Sequence, residues 1–416
     1  MAVFDAEAYL RAVGERWEPD GHEPGVLCNP VLAAAAAALL AVDAITLGRA
    51  QAIIDDYSPA PAPAADRSHL MGAAAAQDAA SPPPDIARPR VVPCDWVIDQ
   101  PWGRLTIRYV VFTDQATSLR VTLRPDESQA RQPHRLAAQV RRVGIADARG
   151  TRAVAEFSGG FRRGDLDWHG GYEARPPLAA DTPWIELLGE QVQLTAEPAS
   201  SWTWAEPLPV QDPAMRHLWE RVATLNDFHN PHLALEATIA ALAAAEAIPA
   251  DDSVAGAARA VLAVLRPDGV SRGGVPGDLP RPWHSLLARW GQTGGPVATI
   301  PVGAITPSFD SVTAAVIALE SRDEHFGISV ELVPQVRTGL PYRDLSGQQH
   351  LTWWAADNLG NYYLGEQGSW DPRGGRCQGA IGFWPALDAR ASSIDLMPTV
   401  TTARAVIRVP LPWTGH

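Results

Sequence analysis

The chain has 416 residues, 46% hydrophobic and 19% charged, with a formal net charge of -13. These are globular proportions, enough for two to four domains. The acidity argues against a nucleic-acid binder, which needs a basic field to meet phosphates, and against anionic membrane surfaces.

All 34 basic residues are arginine, which excludes Schiff-base lysines and the Walker-A lysine. Cys28, Cys94 and Cys377 stand far apart, so neither a disulfide framework nor a structural zinc site is expected. The opening "MAVFDAEAYLRAVGERWE" has no apolar core of a secretory signal. A cytoplasmic location is the expectation.

The apolar run Val31–Val42 is 12 residues long, short of the roughly 20 that a membrane span needs. Membrane insertion is not expected. Asn29-Pro30 ahead of it is a helix start, with asparagine as cap and proline in the first turn. "AITLGRAQAIIDDY" reads as a second helix. Residues 1–57 are therefore a helical hairpin and 58–89 a Pro/Ala-rich linker.

Seven strands are predicted over residues 90–200, near Val91–Ile98, Arg104–Thr113, Ser118–Arg124, Leu136–Ala146, Thr151–Phe157, Pro183–Leu188 and Gln191–Ala196. "SLRVTLRP" alternates as a half-buried strand does. Asp147 and Gly150 carry type I turn chemistry.

The same grammar then returns. Asn230-Pro231 opens another Ala-rich helix, "FGISVELVP" alternates again, and Asp357 and Gly360 repeat the turn. Residues 206–266 read as a second hairpin, 267–296 as a Gly/Pro-rich linker with a short helix, and 297–413 as a second β-domain. The expected fold is α+β and mostly β. It is an internal duplication of a unit made of a helical hairpin followed by a seven-stranded immunoglobulin-like β-sandwich. A small barrel is the alternative.

No catalytic signature appears, and no cofactor is expected. Trp353, Trp354, Tyr362, Tyr363 and Trp370 gather in one stretch. Adjacent strand residues face opposite ways, so Trp353 and Trp354 cannot enter one core. Either the outward one joins a contact surface, since tryptophan and tyrosine favour interfaces, or a hairpin or the other unit covers it.

Asp165, Asp167, His169 and Glu173 in "RRGDLDWHGGYE" form a candidate metal loop. The competing reading is a polar inter-strand loop. His232 and Glu236 lie four apart at a helix start, without the HExxH pattern.

The sequence thus points to a non-enzymatic binding or scaffold protein with a protein partner. A metal-dependent hydrolase and a carbohydrate-binding protein, with a small ligand or glycan, are the alternatives.

Overall fold

The structure is a computed structural model. It describes residues 4–16, 30–57, 89–126, 139–161, 168–194, 200–206, 212–224, 231–249, 253–266, 279–292, 294–308, 313–333, 351–373, 376–399 and 403–413. It is mixed α/β and mostly β, with two large antiparallel sheets in two repeated-looking units.

Seven helices lie among the described residues: α1 (Ala6–Arg16), α2 (Pro30–Ala41), α3 (Leu47–Tyr57), α4 (Pro213–Thr224), α5 (Pro231–Ala244), α6 (Ser253–Leu265) and α7 (Arg281–Arg289). The Ala-rich helices α2 and α5 begin at Pro30 and Pro231, where the sequence placed a helix start. Both end alike. Asp43 and Glu246 take φ 54°, and the next amides, of Ala44 and Ala247, donate to Leu39 O and Leu242 O at 2.9 Å. That is a six-to-one closure of the last turn. α2 and α3, and α5 and α6, follow one another as helix pairs, and a further helix, α1 or α4, precedes each pair.

α2 is buried without a break from Leu32 to Leu39. A helix apolar on all sides needs cover on all sides. α2 receives it from α5, which runs against it, and from α1, α3 and α4.

The first sheet joins β1 (Arg90–Gln100), β2 (Gly103–Phe112), β3 (Thr117–Pro125), β4 (Arg142–Asp147), β5 (Arg152–Phe161), β6 (Trp168–Arg175), β7 (Trp184–Leu187) and β8 (Glu190–Gln193), in the order β1-β2-β3-β6-β5-β4-β7-β8. After β9 (Ser201–Ala205) come β10 (Ala298–Ile305), β11 (Thr313–Ser321), β12 (Phe326–Val333), β13 (Thr352–Asp357), β14 (Tyr362–Arg373), β15 (Arg376–Trp384), β16 (Ser393–Thr399) and β17 (Arg404–Pro410). They form the second sheet, β10-β11-β12-β15-β14-β13-β16-β17-β9. Apart from β9, the two orders are the same.

Each unit's strands lie in one continuous sheet, not in the two separate sheets of an immunoglobulin-like sandwich. The reason lies in the burial pattern. One apolar cluster takes in inward residues of all eight strands of the first sheet, from Val92 and Ile98 on β1 to Val192 on β8. The edge strands β1 and β8 approach one another, so the sheet curls until its inner face packs on itself.

β6 was not among the predicted strands. Its two glycines and its charges suit a turn, yet Trp168, Gly170, Tyr172 and Ala174 alternate inward.

The two sheets meet through β1–β3 and β10–β12. Val91, Tyr109 and Val111 pack on Ile317 and Ala318. Tyr109 Oη lies 3.3 Å from Ser329 Oγ, and Arg120 Nε donates to Glu320 Oε1 at 3.2 Å. The helical cluster rests on the second sheet. It takes in Trp354, Leu364 and Met397 and, among the described residues, none from the first sheet. Matching the β13–β16 register to the β4–β7 register puts Gly144, which is exposed, at the position of the first sheet that corresponds to Trp354.

Candidate functional site

The aromatic stretch is divided between two interiors. Trp353 on β13 enters the core of the second sheet, and Trp354 turns to the helical cluster. There its ring meets Trp283 of α7 edge-on at 5.1 Å, and Trp283 tilts against Trp219 of α4 at 5.6 Å. Opposite faces were expected, and the helices supply the cover. Tyr363 is also buried, and Tyr362 is half-buried against the helices. Trp353, Trp354 and Tyr363 are therefore packed inside and are not displayed as an exposed patch. The residues at the corresponding strand faces of a solvated sheet would be polar; here a helical layer removes that requirement. Trp370 pairs with Gly379 on β14–β15, and its side chain lies outside the described residues.

The strongest polar cluster surrounds the two turn aspartates. Asp147 accepts the amides of Arg149 (3.0 Å) and Thr151 (2.8 Å) within its own turn. Its other oxygen accepts the Ala179 amide at 2.9 Å, across to the connection between β6 and β7. Burial pushes this carboxyl up, but the hydrogen bonds from Ala179, Thr151 and Arg149 outweigh it and hold it below the ordinary range.

In the second unit, Asp357 accepts the Leu359 and Asn361 amides in the same way. The reach to the neighbouring connection is relayed. Tyr363 Oη donates to Asp357 Oδ2 at 2.7 Å and accepts from the Asp388 amide at 3.3 Å and from Arg289 Nη1 at 2.8 Å. Burial and the Asp357 carboxylate push the Tyr363 hydroxyl well above the tyrosine range, so it stays protonated. The Arg390 guanidinium holds Asp388 down to about 2. Asp357 and Tyr363 are enclosed by protein. Their hydrogen bonds tie turn, connection and α7 together, which is structural work.

Asp165 and Asp167 lie outside the described residues. His169 sits on β6 opposite Thr122 of β3, and its side chain lies outside them too. Glu173 accepts from Arg175 Nε at 2.8 Å. Glu236 is held by Arg259 through two bonds of 2.7 and 2.9 Å. Among the described residues, no group of three or more His, Cys, Asp or Glu is placed to hold a metal ion.

The exposed aromatics are elsewhere. Trp202 and Trp204 on β9 are each 41% exposed, with rings 5.9 Å apart and nearly perpendicular. β9 pairs with β17, Trp202 opposite Ile407 and Trp204 opposite Ala405. Cross-strand partners share a face, so both indoles sit on the inner rim of the curled sheet. The W-x-W spacing was visible in the sequence. Its exposure depends on a pairing about 200 residues away, which local pattern does not reveal.

No protein-family model matches the chain, and no curated protein matches it. A solved structure titled "The crystal structure of the conserved domain protein from Bacillus anthracis" is similar at 8% identity, covering 75% of this chain and 78% of that one. Its TM-score of 0.20 is too low to carry an argument.

Proposed function

We propose that this is a non-enzymatic binding or scaffold protein, built by duplication of a helical and β-rich unit, that contacts a protein partner through Trp202 and Trp204. The shared strand order and the matching closures of α2 and α5 support the duplication. Facing halves of each curled sheet pack across one core, which supports a sandwich-like or barrel-like unit. The exposed tryptophan pair carries the functional reading. Large aromatics that keep about two fifths of their surface exposed are the residue type that dominates binding hot spots. A perpendicular pair offers no flat platform for a sugar ring, which favours a protein partner over a glycan.

The test compares the full chain with a Trp202→Ala/Trp204→Ala variant as baits in native lysate, read by mass spectrometry. A stoichiometric partner retained by the first and lost by the second, with melting temperature unchanged, is the expected result. Equal capture by both, or no partner for either, would overturn the assignment.

A further inference from the structure

β9 is an addition to the second sheet. Among the described residues the first sheet has eight strands, and its edges β1 and β8 approach directly. In the second sheet β9 lies between the corresponding edges, β17 and β10. The seat for β9 is specific to the second unit. Pairing of Ile185 with Val192 and of Ile394 with Val409 aligns β8 with Ile407–Pro410. The stretch matching Arg404–Val406 is a tight turn in the first unit, with Leu188 and Gly189 at φ 53° and 84°. β17 continues through that stretch instead, and β9 pairs along Arg404–Arg408.

β9 is lightly held. Four of its five residues are exposed and the fifth is half-buried. Both of its tryptophans are 41% exposed. It also fits its seat imperfectly. Arg404 is half-buried, and among the described residues its guanidinium makes one hydrogen bond, from Nη1 to Met397 Sδ at 3.4 Å. Among the described residues its buried Nε has no partner. Burial pulls the guanidinium below the ordinary arginine range. The residue facing it on β9 is Ala205, which offers it nothing. The neighbouring Arg408, in contrast, is held by Asp395 through two bonds of 2.8 Å.

We propose that β9 is a displaceable strap over a strand-acceptor slot between β17 and β10, and that the slot's second occupant is an extended peptide of a partner protein. That peptide carries large apolar side chains two residues apart, as Trp202 and Trp204 are, and an acidic residue opposite Arg404. Strand addition supplies main-chain hydrogen bonds, and side chains at alternate positions supply selectivity. A carboxylate there answers a partly desolvated guanidinium that β9 leaves unanswered. This goes beyond the contact proposed for the seated tryptophans, and either can fail without the other.

Two measurements test it on the full chain. The first is native-state hydrogen exchange. The strap should exchange faster than β13 and β16 in the wild type and become more protected in an Ala205→Glu variant. Equal protection of β9 and β13, or no change in the variant, would overturn the proposal.

The second uses a Trp202→Pro/Thr203→Pro variant. Alternate residues of an antiparallel strand donate to one neighbour, so the adjacent prolines remove at least one N–H directed at β17. The probe is a labelled peptide of Ser200–Glu206 carrying Ala205→Glu. It should bind the strap-broken chain and not the wild type. It should bind roughly tenfold or more tightly than the unaltered peptide, and that preference should vanish in Arg404→Gln. No binding to a folded strap-broken chain, or a preference indifferent to Arg404, would overturn it. Should the proline variant not fold, the exchange result decides alone.

Discussion

Asp147→Ala removes a carboxylate that is 1% exposed and accepts three backbone amides. A hydrogen bond to a charged group contributes about 1.5–3 kcal/mol, and a buried donor left unpaired costs about 1–3 kcal/mol. The Arg149 amide sits in an exposed turn and regains water. The Thr151 and Ala179 amides carry the loss, which comes to about 2–4 kcal/mol. Guanidinium unfolding followed by tryptophan emission suits the measurement, since Trp96, Trp102, Trp168 and Trp184 all lie in the first unit. The pH dependence has a definite sign. The folded carboxyl lies below its unfolded value, so its contribution is complete above about pH 4. It is lost as pH falls through the lower folded value. The gap between wild type and variant should therefore close in acid. A loss below about 0.5 kcal/mol, or a gap unchanged down to about pH 3, would refute the reasoning.

Trp354→Ala should cost about 3–5 kcal/mol, because it empties the place where Trp283 and the helical layer meet the second sheet; thermal melting checks this, and a loss under about 1 kcal/mol contradicts the packing. Cys94 is pushed to about 12 by burial, with the Asp95 charge adding to it. At neutral pH its thiolate is scarce, and alkylation followed by peptide mass spectrometry should run about a thousandfold slower than at a free thiol. A rate within about tenfold of the free thiol would count against its buried setting.

Much of the local grammar was legible. Proline after asparagine marked α2 and α5 because it suits a first helical turn. Strict alternation marked β3 and β12. The Asp-x-x-Gly pattern marked both turns, whose Gly150 and Gly360 take φ 83° and 87°. What stayed hidden was long-range. β6 carries its inward alternation partly on Gly170, which reads as a breaker. The amide of Ala179 reaching Asp147, and the Tyr363 hydroxyl relaying Asp357 to residue 388, join segments with no shared local pattern. The covering of Trp354 depends on α7, about 70 residues earlier, and the exposure of Trp202 and Trp204 on which edge their strand joins.

The pairing of α2 with α5 also sets a timetable for synthesis. α5 follows α2 by about 200 residues, and a ribosome adds roughly 5–20 residues per second. α2 therefore leaves the tunnel about 10–40 seconds before the helix that covers it. Throughout that interval an alanine and leucine surface stands without its mate, while the first sheet is already available to fold. A stall before residue 231 would leave uncovered the part of α2 that α5 buries.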